Sequence, residues 1–507
     1  MQEEQIPYYT YYDEFKDFIS VQECIHKIYK IFSKYKKITV LAFITNFINE
    51  TGFDNNFNNI KRVHLKYFGR DDKYLIHRRS IHVLAQSFFS FDNFHLNDNS
   101  EIVNIVDVCM LFLLANQILN ISEGLDYSSD LRVLFNSYKF SNDLIVDNDV
   151  RSHFYFYPKF YKSLVESPHY NEFNKIIKKR LNVGIKKYSQ ILENQFLNVT
   201  PISKKFFRKY FSIQLHLTFK KWQERKPIVN IPYEYRMLQT YPFIFINGPY
   251  FKKFPWIPFI YRRTEYCVCS PHFLMNSVAK KIYNILRSNK LFGGEFGIAA
   301  EKEIVNYFKN SLTNENCIRV NLRRDEENYE YADFGILKGN IVFLFEIKTG
   351  SLPMLKKYEE NYDKFKKNFD NTFVNKSGVR QQIERIRDIS DNFEMFCATT
   401  GLNPDKKYQI VPVLIFLDDE FNASGLNRYL GNEFKRILRE YNFKRKNIFI
   451  SDNNISLTLN ELKLSVDKLN SPEKILSSIF KYFQNFHTRA VSLLNYENYL
   501  LKEYLKN

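Results

Sequence analysis

The sequence predicts an α+β chain: a mainly helical N-terminal part, then a C-terminal α/β domain with a mixed sheet flanked by helices. Three observations predict it. Apolar residues recur with helical spacing through much of the first 225 positions. The texture then changes over residues 226–271, where seven prolines exclude a long helix. After residue 291, helical and strand patterns alternate in the order α-β-β-β-α-β-α-β.

The elements follow in order. Residues 13–35 read as one amphipathic helix, and residues 100–122 as another with Ser100 as N-cap. Asn/Asp-rich stretches at 49–59 and 90–100 break the chain. Residues 160–225 read as helices with basic faces. The proline-rich segment is too aromatic for a flexible linker and reads as extended, packed structure. Residues 270–290 form a helix with Ser270 as N-cap and Pro271 at its first position. The glycines of "LFGGEFG" (291–297) break the chain and open the last domain, whose first helix runs over 298–312. A strand at 317–323, a hairpin at 331–350 and a lysine-rich segment at 352–370 come next. A helix at 378–393, a buried strand at 408–418, a helix at 426–441 and a short strand at 447–452 complete the alternation. The expected domains are thus 1–150, helical and slightly acidic; 151–290, a basic helical region with the proline/aromatic connector; and 291–507, the α/β domain with C-terminal helices.

Composition bounds the rest. A chain of 507 residues, 45% hydrophobic and 17% aromatic, can build two to four cores. Its most apolar run, "VCMLFLLA" (108–115), falls far short of the ~20 residues of a membrane helix, and the acidic, polar N-terminus lacks the pattern of a signal peptide. The six cysteines show no C-x-x-C or Cys/His ligand spacing. The expectation is a reduced, cytoplasmic protein without structural zinc or membrane contact. Charge is unevenly placed within the formal +17. Residues 1–150 hold 15 Lys/Arg against 20 Asp/Glu, residues 151–290 hold 26 against 6, and residues 291–507 hold 32 against 30. The middle segment carries the whole excess, and its interleaved lysines and aromatics suit a phosphate backbone. Lys178, Lys179, Arg180, Lys204, Lys205 and Arg208 are the expected contacts there. The alternative is a solvated basic face.

The hairpin raises a chemical question, because it is apolar yet carries Asp333, Glu346 and Lys348. If Gly339-Asn340 forms the turn, Lys338 pairs with Ile341 and Asp333 falls opposite Glu346, their Cβ atoms about 5 Å apart. Lys348 shares that face. Two opposed carboxylates repel, so a positive group belongs between them: Lys348 or a bound cation.

Asp333, twelve residues, then Glu346-Ile347-Lys348 resembles the PD-(D/E)XK nuclease superfamily. Glu301 on the preceding helix and Gln382 on the following one occupy positions used in parts of that family, and the element order over roughly 297–452 agrees. Ala332 replaces the proline of the family name. The resemblance implies a restriction-endonuclease-like domain in which Asp333, Glu346, Glu301 and the backbone carbonyl of Ile347 hold Mg²⁺ (or Mn²⁺), while Lys348 orients water or stabilises the transition state. It implies nucleic acid as substrate, with DNA favoured over RNA. Lys356, Lys357, Lys366 and Lys367, just after the motif, would steer the backbone toward the metal. The architecture fits defence against phage or plasmids. No P-loop is present, so ATP would have to come from a partner ATPase, and a homo-oligomer is equally open. The alternatives are a non-catalytic nucleic-acid-binding module and a subunit of a larger complex. Arg70 and His77 match a loose ribonuclease spacing that chance alone supplies.

Overall fold

The computed structural model describes residues 10–47, 75–95, 103–123, 131–135, 151–197, 243–246, 265–268, 278–311, 318–320, 323–324, 329–350, 361–418 and 421–485, with short breaks inside some of these ranges. The chain forms two compact units. One comprises residues 1–126, 136–154 and 174–284, the other 127–135, 155–173 and 285–507. The whole is mixed α and β, mostly helical, with a mixed sheet flanked by helices.

The first unit begins with two helices where one was expected. α1 (Tyr11–Phe15) ends at Lys16, which adopts a left-handed conformation with φ 55°. α2 (Val21–Phe32) restarts from a capping box in which Ser20 and Glu23 bond each other's backbone N–H groups. α3 (Arg78–Ser90) and α4 (Ile105–Glu123) complete a core that includes Ile28, Phe32, Leu84, Phe88, Leu111, Phe112 and Leu114. α4 starts later than expected. Asn104, rather than Ser100, sits ahead of it, and its Oδ1 accepts from the Val106 N–H at 2.8 Å.

α5 (Arg151–Ser163) and α6 (Tyr170–Leu181) follow, and α6 stops at Asn182, which has φ 56°. α7 (Ile185–Leu197) confirms the expected helices of the basic segment up to residue 197; residues 198–242 lie outside the described residues. Within the proline-rich connector, β1 (Phe243–Ile246) and β2 (Glu265–Val268) pair antiparallel. α8 (Lys281–Leu286) falls inside the helix expected over 270–290, whose capping residues lie outside the described residues.

The expected break at 291–297 is instead helix. α9 (Phe292–Ser311) runs straight through the three glycines. Phe292, Phe296, Ala299, Ala300 and Ile304 are buried along it. Burying two phenylalanines at about 1.5–3 kcal/mol each outweighs the roughly 1 kcal/mol that each helical glycine costs.

The expected strand at 317–323 is divided. β3 (Ile318–Val320) joins the main sheet, while β4 (Arg323–Arg324) pairs with β5 (Tyr329–Glu330) in a separate ribbon. The hairpin is β6 (Phe334–Lys338) and β7 (Ile341–Lys348). α10 (Tyr362–Phe369) runs into a π-helical turn at Asp370–Val374. α11 (Val379–Asp391) is followed by a separate helix, α12 (Phe393–Thr400), where no element is expected from the sequence. β8 (Tyr408–Phe416), α13 (Leu426–Leu438) and β9 (Ile448–Ile450) match expectation. β10 (Ile455–Thr458), α14 (Leu459–Leu469) and α15 (Pro472–Asn485) close the described chain.

The main sheet has the order β10-β8-β7-β6-β3, with β9 also on β8. β3, β6 and β7 are antiparallel neighbours, while β8 runs parallel to β7, β9 and β10. β8 is almost wholly buried, as a central parallel strand requires. Among the described residues, no helix is long and apolar enough to cross a membrane.

Candidate active site

The hairpin register is the one the turn dictates. Lys338 pairs with Ile341 and Phe334 with Phe345. Of the two central residues only Gly339 has a positive φ (58°), the arrangement of a type II′ turn. Phe334 and Phe345 stack across the strands at 4.4 Å, and Phe308 of α9 packs on both, at 4.7 and 5.5 Å. On its other side β7 is held by β8 through Glu346↔Leu414, Ile347↔Ile415 and Lys348↔Phe416. The charged end of β7 therefore stands on a rigid strand clamped from both sides.

Asp333 lies one residue ahead of β6. Its N–H donates to the Phe345 carbonyl (3.1 Å), and its Oδ2 accepts from the Ile347 N–H (2.5 Å). Its side chain is 9% exposed and that of Glu346 5%, so both carboxyls are largely removed from water. Burial and the neighbouring Glu346 carboxylate push the Asp333 carboxyl up to about 8, with Glu301 adding to the rise.

Two cations answer this charge. Lys348 Nζ donates to Glu346 Oε1 (2.8 Å) and to Gln381 Oε1 (2.7 Å). Arg385 Nη1 donates to Glu346 Oε2 at 2.6 Å and stands 3.8 Å from Asp333 Oδ1. Gln381 and Arg385 are one turn apart on α11, so they face the hairpin from one stripe of that helix. The inward stripe beside them, Ile383, Ile386 and Ile389, is buried and holds the helix down.

The structure thus brings together Asp333, Glu346 and Lys348, with Glu301 close enough for its charge to act on Asp333. It does not join Gln382 to them. That side chain is 4% exposed, and its Oε1 accepts from Asn454 Nδ2 at 3.3 Å. Gln381, its neighbour on α11, is the glutamine that contacts Lys348. Arg385 is not among the residues expected from the sequence. The available signal was its i+4 spacing from Gln381.

Of the expected nucleic-acid contacts, Lys178, Lys179 and Arg180 form the exposed last turn of α6. Lys366 pairs with Asp370 at 2.6 Å, and Lys367 is exposed beside it. Lys204, Lys205, Arg208, Lys356, Lys357, Arg70 and His77 lie outside the described residues.

Among the described residues, no cluster of three or more His, Cys, Asp or Glu is poised as a metal cage. The local donors nevertheless suit a hard cation: two neighbouring carboxylates, all oxygen, with like charges that raise the Asp333 carboxyl. Comparisons with protein-family models, with curated proteins and with solved structures found no match.

Proposed function

We propose that the chain is a metal-dependent nuclease, a hydrolase of phosphodiester bonds with DNA as the favoured substrate and a restriction-endonuclease-like catalytic domain. The observation that carries this reading is the convergence of Asp333 and Glu346 at the end of a doubly clamped strand, with Lys348 in contact with Glu346.

Asp333, Glu346 and the Ile347 carbonyl would hold Mg²⁺ or Mn²⁺, with Glu301 completing the shell directly or through water. A bound divalent ion supplies a more acidic water and neutralises charge on the phosphate. Lys348 has two of its three N–H donors fixed, by Glu346 and Gln381, and the third can bond a phosphate oxygen or orient the attacking water. Gln381 acts as a brace that aims the ammonium. The exposed basic turn of α6 and Lys367 are candidates for phosphate-backbone contacts.

A second reading is a non-catalytic nucleic-acid-binding module. The full pairing of Glu346 by Lys348 and Arg385 favours it, because a self-neutralised ion cluster can be purely structural.

Incubation with supercoiled, linear and single-stranded DNA and with RNA separates the two. Cleavage is expected with Mg²⁺ and not with EDTA, and Asp333→Ala and Glu346→Ala are each expected to abolish it. Cleavage by either variant at the wild-type rate would remove the site from these residues.

A further inference from the structure

The proposed metal set has a feature that the nuclease reading alone does not require. Each carboxylate oxygen of the pair has a protein partner. Glu346 Oε1 faces Lys348, Glu346 Oε2 faces Arg385, Asp333 Oδ2 takes the Ile347 N–H, and Asp333 Oδ1 faces Arg385. Among the described residues, Arg385 Nη1 addresses both side chains, at 2.6 and 3.8 Å. A divalent ion bridging Asp333 Oδ1 and Glu346 Oε2 would take the place that Nη1 holds between them.

We infer that Arg385 is an internal competitor for the divalent cation: its guanidinium holds the carboxylate pair together and gives way when metal binds. This rests on the metal-site reading above and adds a loading step to it. A guanidinium keeps its charge throughout the accessible pH range, so loss of a proton cannot release it. Exchange can. A divalent ion replaces it between the carboxylates, and the freed fork becomes available to a phosphate, which it binds in two-point fashion. The side chain is 16% exposed, so a path to the surface is open to it. Arg385 also sits on α11 one turn from Gln381, the brace of Lys348. The displaced guanidinium therefore remains next to the ammonium expected to meet the scissile group. On this account Arg385 sets the metal affinity of the free protein and supplies a second phosphate-binding cation once metal is in place.

Titration calorimetry with Mg²⁺ alone, with no nucleic acid present, tests the exchange on the full chain. Arg385→Met removes the competitor and is expected to bind Mg²⁺ about tenfold or more tightly than wild type, the size of one lost charged hydrogen bond. Because Glu346 would then lose a buried counter-ion, Arg385→Lys is the companion variant. It keeps a positive charge there but gives up the planar fork, and it too is expected to bind more tightly than wild type. Mg²⁺ should raise the unfolding temperature of both variants by more than it raises that of wild type. Equal or weaker Mg²⁺ affinity in the folded variants, with clear binding by wild type, overturns the competition and leaves the metal site standing. Absence of Mg²⁺ binding by wild type and by both variants overturns the metal site and the competition together.

Discussion

At the scale of single residues, the carboxylate pair was legible and its partner was not. Asp333 and Glu346 could be matched because a strand alternates strictly and a two-residue turn fixes the register. Arg385 could not, because its approach depends on how α11 lies against the sheet, which no local pattern records. Gln381 rather than Gln382 meets Lys348 for the same reason: adjacent helical positions differ by about 100° of rotation, and the packing of Ile383, Ile386 and Ile389 decides which one faces β7. Two predictions belong here. Lys348→Ala should cut poorly while Mg²⁺ and nucleic-acid binding stay close to wild type, read by calorimetry and by mobility shift beside a cleavage assay. A large loss of Mg²⁺ affinity would assign Lys348 to assembling the site. The second concerns Asp333, whose carboxyl is raised to about 8 by burial and by Glu346. An unfolded aspartate titrates near pH 4 (about 3.9). Between these values the folded chain binds the proton more tightly than the unfolded chain does. The contribution of this group to stability is therefore full below about pH 4 and falls as pH rises toward about 8. Asp333→Asn removes that fall. In EDTA, its denaturation midpoint should vary less between pH 5 and 8 than that of wild type, and at pH 8 it should lie higher. A midpoint at pH 8 below that of wild type would mean that the ionised carboxylate is held by Arg385 more strongly than Glu346 repels it.

At the scale of elements, glycine separates what local propensity shows from what packing decides. "LFGGEFG" reads as a breaker, yet from Phe292 onward it is the start of α9, because Phe292 and Phe296 are buried one turn apart. Gly293 and Gly294 have nothing within 4 Å of where a Cβ would stand. Their conformational freedom is therefore a cost without a packing return. Gly293→Ala and Gly294→Ala should each stabilise the chain by about 0.5–1 kcal/mol in denaturant unfolding. Gly378, just before α11, is the opposite case. It has φ 83°, and an added Cβ would collide with the Phe373 carbonyl oxygen of the π-helical turn. Gly378→Ala should destabilise by more than about 1 kcal/mol. Because α11 carries Gln381 and Arg385, the same change should also weaken any activity of the site. Neutral Gly378→Ala stability would show that the turn relaxes at little cost. The divided first helix was legible after all, since "SVQE" at 20–23 is a capping box lying inside what periodicity alone reads as continuous helix.

At the scale of the whole molecule, charge distribution carries the argument. The excess of 20 positive charges on residues 151–290 is a property of the sequence, and three of its members, Lys178, Lys179 and Arg180, are exposed on the last turn of α6. Two physical roles compete for them. Cations at a helix C-terminus favour the helix by about 0.3–1 kcal/mol each through the macrodipole, with no ligand required. A phosphate backbone instead makes them release counterions, so that affinity falls with salt at a slope of about 0.9 per duplex phosphate neutralised. Reversing all three to glutamate distinguishes the roles, because it acts on two observables at once. If the turn serves only its helix, unfolding shifts by a few kcal/mol at most, and duplex affinity and its salt slope stay as in wild type. If the turn meets nucleic acid, affinity at low salt drops, and the slope falls by up to about 0.9 for each side chain that touched a phosphate. Mg²⁺ affinity measured without nucleic acid should be unchanged in both cases, since Asp333 and Glu346 are held by Ile347, Lys348 and Arg385 and not by this turn. The second pattern is the expected one, because a sequence-wide excess of lysine would not leave residues 1–150 acidic and 291–507 nearly neutral. An unchanged salt slope would return this turn to its helix and leave backbone contact to other cations, the exposed Lys367 among them.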